Sequence, residues 1–307
     1  MPIQNYPTVF DCTEMTAAVN KLPARPFFFK PLFEVKGVKT TTVSLDIRKG
    51  RIVLIGDSER NTAPESLAGR GAKREWKHLS CAHLAQMDTL APEDLQDVRA
   101  FGSTEPISVA AVDNLAATME FHRLGAIKGV VLDADGTTVL HDIFNTFGAT
   151  KKTLDISFPK TAADDANPIL TSILKAKRHV EAAMGGTPFD HIECIIGSDA
   201  YDMLTSHKLV REYFERWLSN RENFGNNDYR KRGFPYGGLT FVERSDVVGG
   251  QTMVAAKKGH VYPVGPGIFK QYHAPADWME TVNTIGLEYY ARMYEKPKGR
   301  GFDLEVQ

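Results

Sequence analysis

The stretch Arg99–Gly148 constrains the chain more than any other, because its first half can only be a long helix with one apolar face. Apolar residues recur at Val109, Val112, Leu115, Ala116 and Met119, three and four apart, which places them on one stripe at 3.6 residues per turn. The start signals agree: Ser103 or Thr104 can cap the free N–H groups, Glu105 suits the positive end of the helix dipole, and Pro106 falls in the first turn. Gly125 is the expected stop. A helix over 105–124 would be about 30 Å long at 1.5 Å per residue, about the diameter of a small domain, so it must run through most of the body it belongs to as a spine.

After the spine the period changes. Ile127 to Asp133 and Thr137 to Ile143 are β-rich runs joined at Asp135-Gly136, which predicts a β-hairpin over 127–143. The same residues carry a competing motif. Val130-Val131-Leu132-Asp133-Ala134-Asp135-Gly136-Thr137 resembles the first motif of the haloacid dehalogenase superfamily of phosphatases. That resemblance implies Asp133 as nucleophile, Asp135 as general acid and base, and magnesium between them, with Asp199 and Asp202 imitating the late acidic motif. Such a nucleophile ends a buried parallel strand in a series of βα units, whereas here a helix precedes and a turn follows.

The chain has 307 residues, 42% of them hydrophobic, enough to bury a sizeable core in two or more lobes. A net charge of -1 argues against a protein that grips nucleic acid through phosphates. The basic runs Tyr229-Arg230-Lys231-Arg232 and Lys296 to Arg300 fit solvated loops. Cys12, Cys81 and Cys194 form neither a disulfide framework nor a metal spacing and point to a reducing compartment. No cleavable leader follows Met1-Pro2 and no apolar run is long enough to span a membrane, so a protein made in the cytoplasm is expected, with no membrane partner.

In chain order, residues 1–36 read as an arm. Pro23, Pro26 and Pro31 exclude regular helix or central strand, yet Phe27, Phe28, Phe29 and Phe33 are too apolar to leave in water, so the arm must lie on something: a neighbour, or its own core. Residues 37–84 read as a projecting β ribbon. Thr40 to Ile47 alternates, Lys49-Gly50 turns, Arg51 to Ile55 returns, and a further run from Glu75 to Leu84 can close the set around a polar, Gly-rich tip at 56–71. Such a ribbon has little core and exposes strand edges, which makes sense when a neighbouring chain covers it.

Beyond the spine, 151–168 is a connector, 169–183 an amphipathic helix, and 191–197 a buried strand. Ser198 or Asp199 is expected to cap the next helix, and 209–218 continues in helix. Residues 239–243, 252–256 and 259–264 read as strands, Gly265-Pro266-Gly267 as a turn, and 280–290 and 301–307 as strands returning to the first lobe. No catalytic constellation emerges. His78 and His83, His141 beside Asp142, and His207 before Lys208 lack metal spacing, and no nucleophile elbow, Walker loop or dinucleotide fingerprint is present. No catalytic, cofactor or metal residue is therefore proposed from the sequence.

Taken together the parts resemble the major capsid proteins of tailed bacteriophages, specifically the lambda-like capsid protein E family. The likeness is carried by Arg70-Gly71 before Lys77-His78-Leu79, by Ala91-Pro92-Glu93-Asp94-Leu95-Gln96 leading to Arg99-Ala100-Phe101-Gly102, and by the spine running into Leu124 to Gly136. Tyr272 to Asp277 and Glu280 to Leu287 extend it. The resemblance implies an α+β chain with the Hong Kong phage type of capsid fold. Its parts would be an N-terminal arm (1–36), an extended loop (37–84), a peripheral domain (85–164), an axial domain (165–280) and a return to the peripheral domain (281–307). It implies no enzyme activity and no cofactor. It implies pentamers and hexamers in an icosahedral shell around double-stranded DNA, built in the host cytoplasm with scaffolding, portal and decoration proteins as partners. A cellular nanocompartment shell shares this fold and is the alternative within the binding class.

Overall fold

The computed structural model describes residues 12–21, 27–48, 74–91, 105–159, 167–219, 229–297 and 300–307. Helix Glu105–Lys128 is the spine, about 36 Å at 1.5 Å per residue. Of the stripe foreseen in the sequence Val112, Leu115 and Ala116 are buried and Met119 is half-buried, with Ala111 buried beside them; the Val109 side chain and the expected caps Ser103 and Thr104 lie outside the described residues. The helix runs through the stop expected at Gly125. That glycine is a point of close approach: a Cβ there would sit 2.9 Å from the Val130 carbonyl oxygen and 2.9 Å from the Val131 Cα, so the following strand folds directly back onto the helix. Termination falls at Gly129, whose φ of 88° no β-branched residue would tolerate.

The hairpin follows as Val130–Leu132 antiparallel to Val139–Asp142, shorter than the 127–143 expected because the spine takes Ile127 and Lys128. Asp142 then caps the short helix Ile143–Phe147 by accepting from the Asn145 N–H.

The aromatic leader corrects the picture of an arm lying on a neighbour. Phe29 is fully buried in its own chain beside Leu124, Ile195, Met253, Val254 and Tyr262, with Phe28 and Phe33 packed around it. Arg244 caps the pair, its Cζ 4.5 Å from the Phe28 ring centre and 5.6 Å from that of Phe29. Pro31 sits within a single 3₁₀ turn, Lys30–Leu32, after which Phe33–Gly37 pairs in parallel with Phe269–His273. The prolines rule out a long regular element here, but not a short edge strand. Upstream, helix Cys12–Val19 packs Val19 with the spine's Val112 and Leu115 and with Tyr289 and Val306.

A second core forms around a four-stranded sheet in the order Gly259–Val264, His191–Ile196, Leu239–Glu243, Phe234–Tyr236. His191–Ile196 is central, antiparallel to the first and parallel to the third, and is accordingly buried along nearly its whole length. Helix Pro168–Met184 buries Ile169 and Ile173 against it, and helices Ser198–Ser206 and Lys208–Leu218 add Tyr201, Leu204 and Val210. Neither Ser198 nor Asp199 caps as expected. Gly197 is the N-cap and has no side chain to bond with; a Cβ there would meet the Ala255 carbonyl oxygen at 2.3 Å, which leaves no room for a larger capping residue. Cys194 is sealed in this core and burial pushes its thiol up to about 12. Iodoacetamide at neutral pH is expected to leave Cys194 unmodified in the folded chain and to modify it once urea unfolds the sheet, as read by peptide mass spectrometry.

The run expected at 252–256 is mostly irregular: only Gln251–Thr252 pairs, with Val247–Val248, after which Met253 and Val254 turn into the core. The tail also differs. Residues 280–290 contain a 3₁₀ turn, Met279–Thr281, and no strand; the strand begins at Ala291. Ala291–Glu295, Phe302–Val306 and Gln86–Leu90 make an antiparallel sheet that lays Ala291, Leu304 and Val306 on the spine. The ribbon is Thr42–Arg48 against Arg74–Ser80, in register from Thr42 with Ser80 to Arg48 with Arg74. The return run expected at 51–55 lies outside the described residues, and 74–80 is the partner that 42–48 has among them.

Candidate functional site

Asp133 and Asp135 do not form a hydrolytic pair. Asp133 closes the hairpin turn, its N–H donating to the Thr138 carbonyl (2.8 Å) and its carbonyl accepting from the Gly136 N–H (2.9 Å). The Asp135 carboxylate is occupied locally. It accepts from the Thr137 and Thr138 N–H groups, both at 2.8 Å, and from the Thr138 hydroxyl at 2.6 Å. These bonds, the Thr138 hydroxyl foremost, hold its pKa well below the usual aspartate value of 3.8. The strand before the turn is three residues long and antiparallel, not the buried parallel strand that a phosphatase nucleophile needs. Asp199 and Asp202 belong to helix Ser198–Ser206 of the other lobe. Among the described residues no group of three or more His, Cys, Asp or Glu is placed to hold a metal ion, and no helix is long and apolar enough to cross a membrane.

Asp135 gives a pH test. Its folded pKa is depressed, so its contribution is present above 3.8 and lost as pH falls below it. Asp135→Asn is expected to lower stability at neutral pH, with the gap to wild type closing as the acid limb is descended; parallel acid-unfolding curves would contradict the turn role.

The histidines singled out in the sequence are also dispersed. His78 pairs across the ribbon with the Ser44 hydroxyl at 2.9 Å, and His207 caps helix Lys208–Leu218 and reaches the Pro159 carbonyl at 2.9 Å. His83 and His141 both line the cleft described next.

What the geometry offers instead are surfaces. The ribbon's base and the spine enclose a cleft of about 1320 Å³, walled by Val43, Leu79, Leu115, Met119, Phe269 and Tyr290. Val43 is buried at the base of the ribbon, but Trp76, further along it, is 57% exposed. Outside the ribbon Met87, Met279, Val282 and Ile285 are also largely exposed. Under the cleft lies a buried polar clamp that the sequence reading missed. Glu120 and Arg123, on successive turns of the spine and both nearly solvent-free, pair at 3.3 Å. Glu120 accepts from the Phe29 N–H at 2.7 Å, and the Arg123 Nε donates to Gln271 at 2.7 Å. One ion pair thus ties arm, spine and strand Phe269–His273 together. The available signal was two opposite charges three apart, Glu120 lying one turn from the apolar residues Ala116 and Leu124.

The comparisons with known proteins agree with surfaces rather than with a catalytic pocket. The model of the family described as phage major capsid protein E matches residues 11–307. The major capsid protein of Pseudomonas phage KPP10 is 26% identical over 338 residues, covering 100% of this chain and 94% of its own. That of Salmonella phage Felix O1 (isolate Felix O1-VT1) is 23% identical, covering 97% and 91%. A crystal structure assigned as the capsid protein of a prophage of E. coli CFT073 has the same fold, with a TM-score of 0.50 at 12% identity over 97% of this chain and 93% of that one. The phosphatase and nanocompartment alternatives are not favoured by these matches. The chain belongs to the phage major capsid protein E family, a family of structural shell proteins of the virion and not of enzymes.

Proposed function

We propose that copies of this chain gather into pentamers and hexamers of an icosahedral head, each copy's ribbon covered by or covering its neighbour. The observation that carries this reading is the ribbon. Thr42–Arg48 and Arg74–Ser80 form a two-stranded sheet with no third strand among the described residues, and Trp76 stands in solvent on it. A two-stranded ribbon is marginal in water on its own, so covering by another copy supplies what its own body does not.

In this reading 37–84 is the extended loop. The lobe built on the four-stranded sheet, 165–280, is axial, and 85–164 with 281–307 is peripheral. Two buried clusters support the division, one around Ile173, Cys194 and Phe241 and one around Leu115, Ala291 and Val306. Of the arm, 1–36, helix Cys12–Val19 and the segment from Phe27 onward both pack on their own subunit. The near-neutral net charge suits a wall that encloses double-stranded DNA without gripping it. Assembly would take place in the cytoplasm of the bacterial host, with scaffolding, portal and decoration proteins as partners. Electron microscopy of the protein expressed in bacteria tests the reading. Closed shells or regular sheets with five- and six-fold units are expected, and a uniform small globule at every concentration would overturn it.

A further inference from the structure

Residues 275–290 form a hydrogen-bonded knuckle that displays apolar side chains, and we propose that it is a contact surface for a second copy of this chain. Four of the twelve large hydrophobic side chains exposed among the described residues fall within this one loop: Met279 (89%), Val282 (58%), Ile285 (60%) and Leu287 (48%). The other eight are scattered over the molecule, which is ordinary; clustering in one short segment is not.

The loop is held in place from beneath. Thr281 is buried and its hydroxyl donates to the Ala276 carbonyl at 2.6 Å, while the Thr284 hydroxyl donates to the Thr281 carbonyl at 2.7 Å. The Tyr290 hydroxyl receives the Leu287 N–H at 3.0 Å and donates to the Ile285 carbonyl at 3.3 Å. Gly286 donates its N–H to the Val38 carbonyl at 2.9 Å and lies so close to strand Phe269–His273 that a Cβ would meet the His273 oxygen at 2.0 Å. At the apex Asn283 has φ 61°, the one positive value of a residue other than glycine among those described. A left-handed turn residue and these hydrogen bonds beneath apolar side chains displayed to water describe a preorganised interface, which loses little freedom on binding.

The chemistry selects the partner. The segment carries Asp277, Glu280 and Glu288 and no lysine or arginine; Arg292 and Lys30 answer Glu280 and Glu288 from neighbouring elements. A polyanion such as DNA finds no positive charge on it. Met279, Val282 and Leu287 also line the cleft that the ribbon base closes from the other side, so whatever covers the knuckle meets the ribbon surface as well. In a shell protein that continuous apolar surface is met by another copy. The inference rests on the shell reading above.

The test uses the full chain. Val282→Asp with Ile285→Asp is expected to reduce the assembled fraction in sedimentation at least tenfold. The disassembled subunit should keep its circular dichroism and melting temperature, because both side chains are exposed in the single chain. In a second measurement Val282→Cys is expected to react with a maleimide in subunits and to be protected at least tenfold in particles, a readout that holds even if the double variant folds poorly. Wild-type yields of particles from the double variant, or equal thiol reactivity in subunits and particles, would overturn the knuckle and leave the shell reading standing. Failure of the wild-type chain to oligomerise at all would overturn both.

Discussion

Glu120→Gln is expected to destabilise the subunit by about 3–5 kcal/mol, more than its small change in volume suggests, because it leaves the Arg123 guanidinium buried without its counter-charge. Both side chains are nearly free of solvent, so water cannot take over the role of the carboxylate. The amide oxygen can still accept from the Phe29 N–H, so the loss isolates charge from hydrogen bonding. Urea unfolding of the disassembled subunit measures it. Adding Arg123→Met is expected to recover most of the loss, since removing both charges also removes the cost of holding one of them dry. A Glu120→Gln variant as stable as wild type would show that the clamp is not under stress.

The second large effect is expected at Phe29. Its ring is fully buried where arm, spine and four-stranded sheet meet, so Phe29→Ala opens a cavity at a three-way junction and is expected to cost about 3–5 kcal/mol. The loss should be local in its dynamics. Hydrogen exchange of the amides over 28–37 is expected to speed up, including strand Phe33–Gly37, while strand His191–Ile196 keeps its protection. Unchanged exchange across 28–37 would mean that the arm is held by its strand pairing alone.

These two residues also mark where the sequence was readable and where it was not. The spine declared itself through spacing, because the apolar stripe is a local property of one helix, and the hairpin through Asp135-Gly136. Helix Pro168–Met184 and strand His191–Ile196 were legible for the same reason. What stayed hidden depends on contacts between distant segments. Nothing around Phe33 announces that it pairs in parallel with Phe269, and the prolines before it read as a loose arm when the phenylalanines are in fact the core's own. Gly125 read as a stop because a glycine needed for close approach and one needed for a turn look alike in a sequence. The segment 280–290 alternated enough to pass for a strand, yet it is a bonded loop on which Val282, Ile285 and Leu287 face outward while Thr281, Tyr289 and Tyr290 are buried. The capsid surfaces were indicated by the family resemblance, while the knuckle and the Glu120–Arg123 clamp became visible only in three dimensions.

The central claim is that this subunit is completed by its own copies. Mass measurement of the purified full chain in solution, across a concentration series, tests it most directly. A cooperative passage from the 34.1 kDa chain or small rings to closed particles of many copies is expected. A single 34.1 kDa species that persists at every concentration, with the ribbon's Trp76 solvent-exposed throughout, would contradict it.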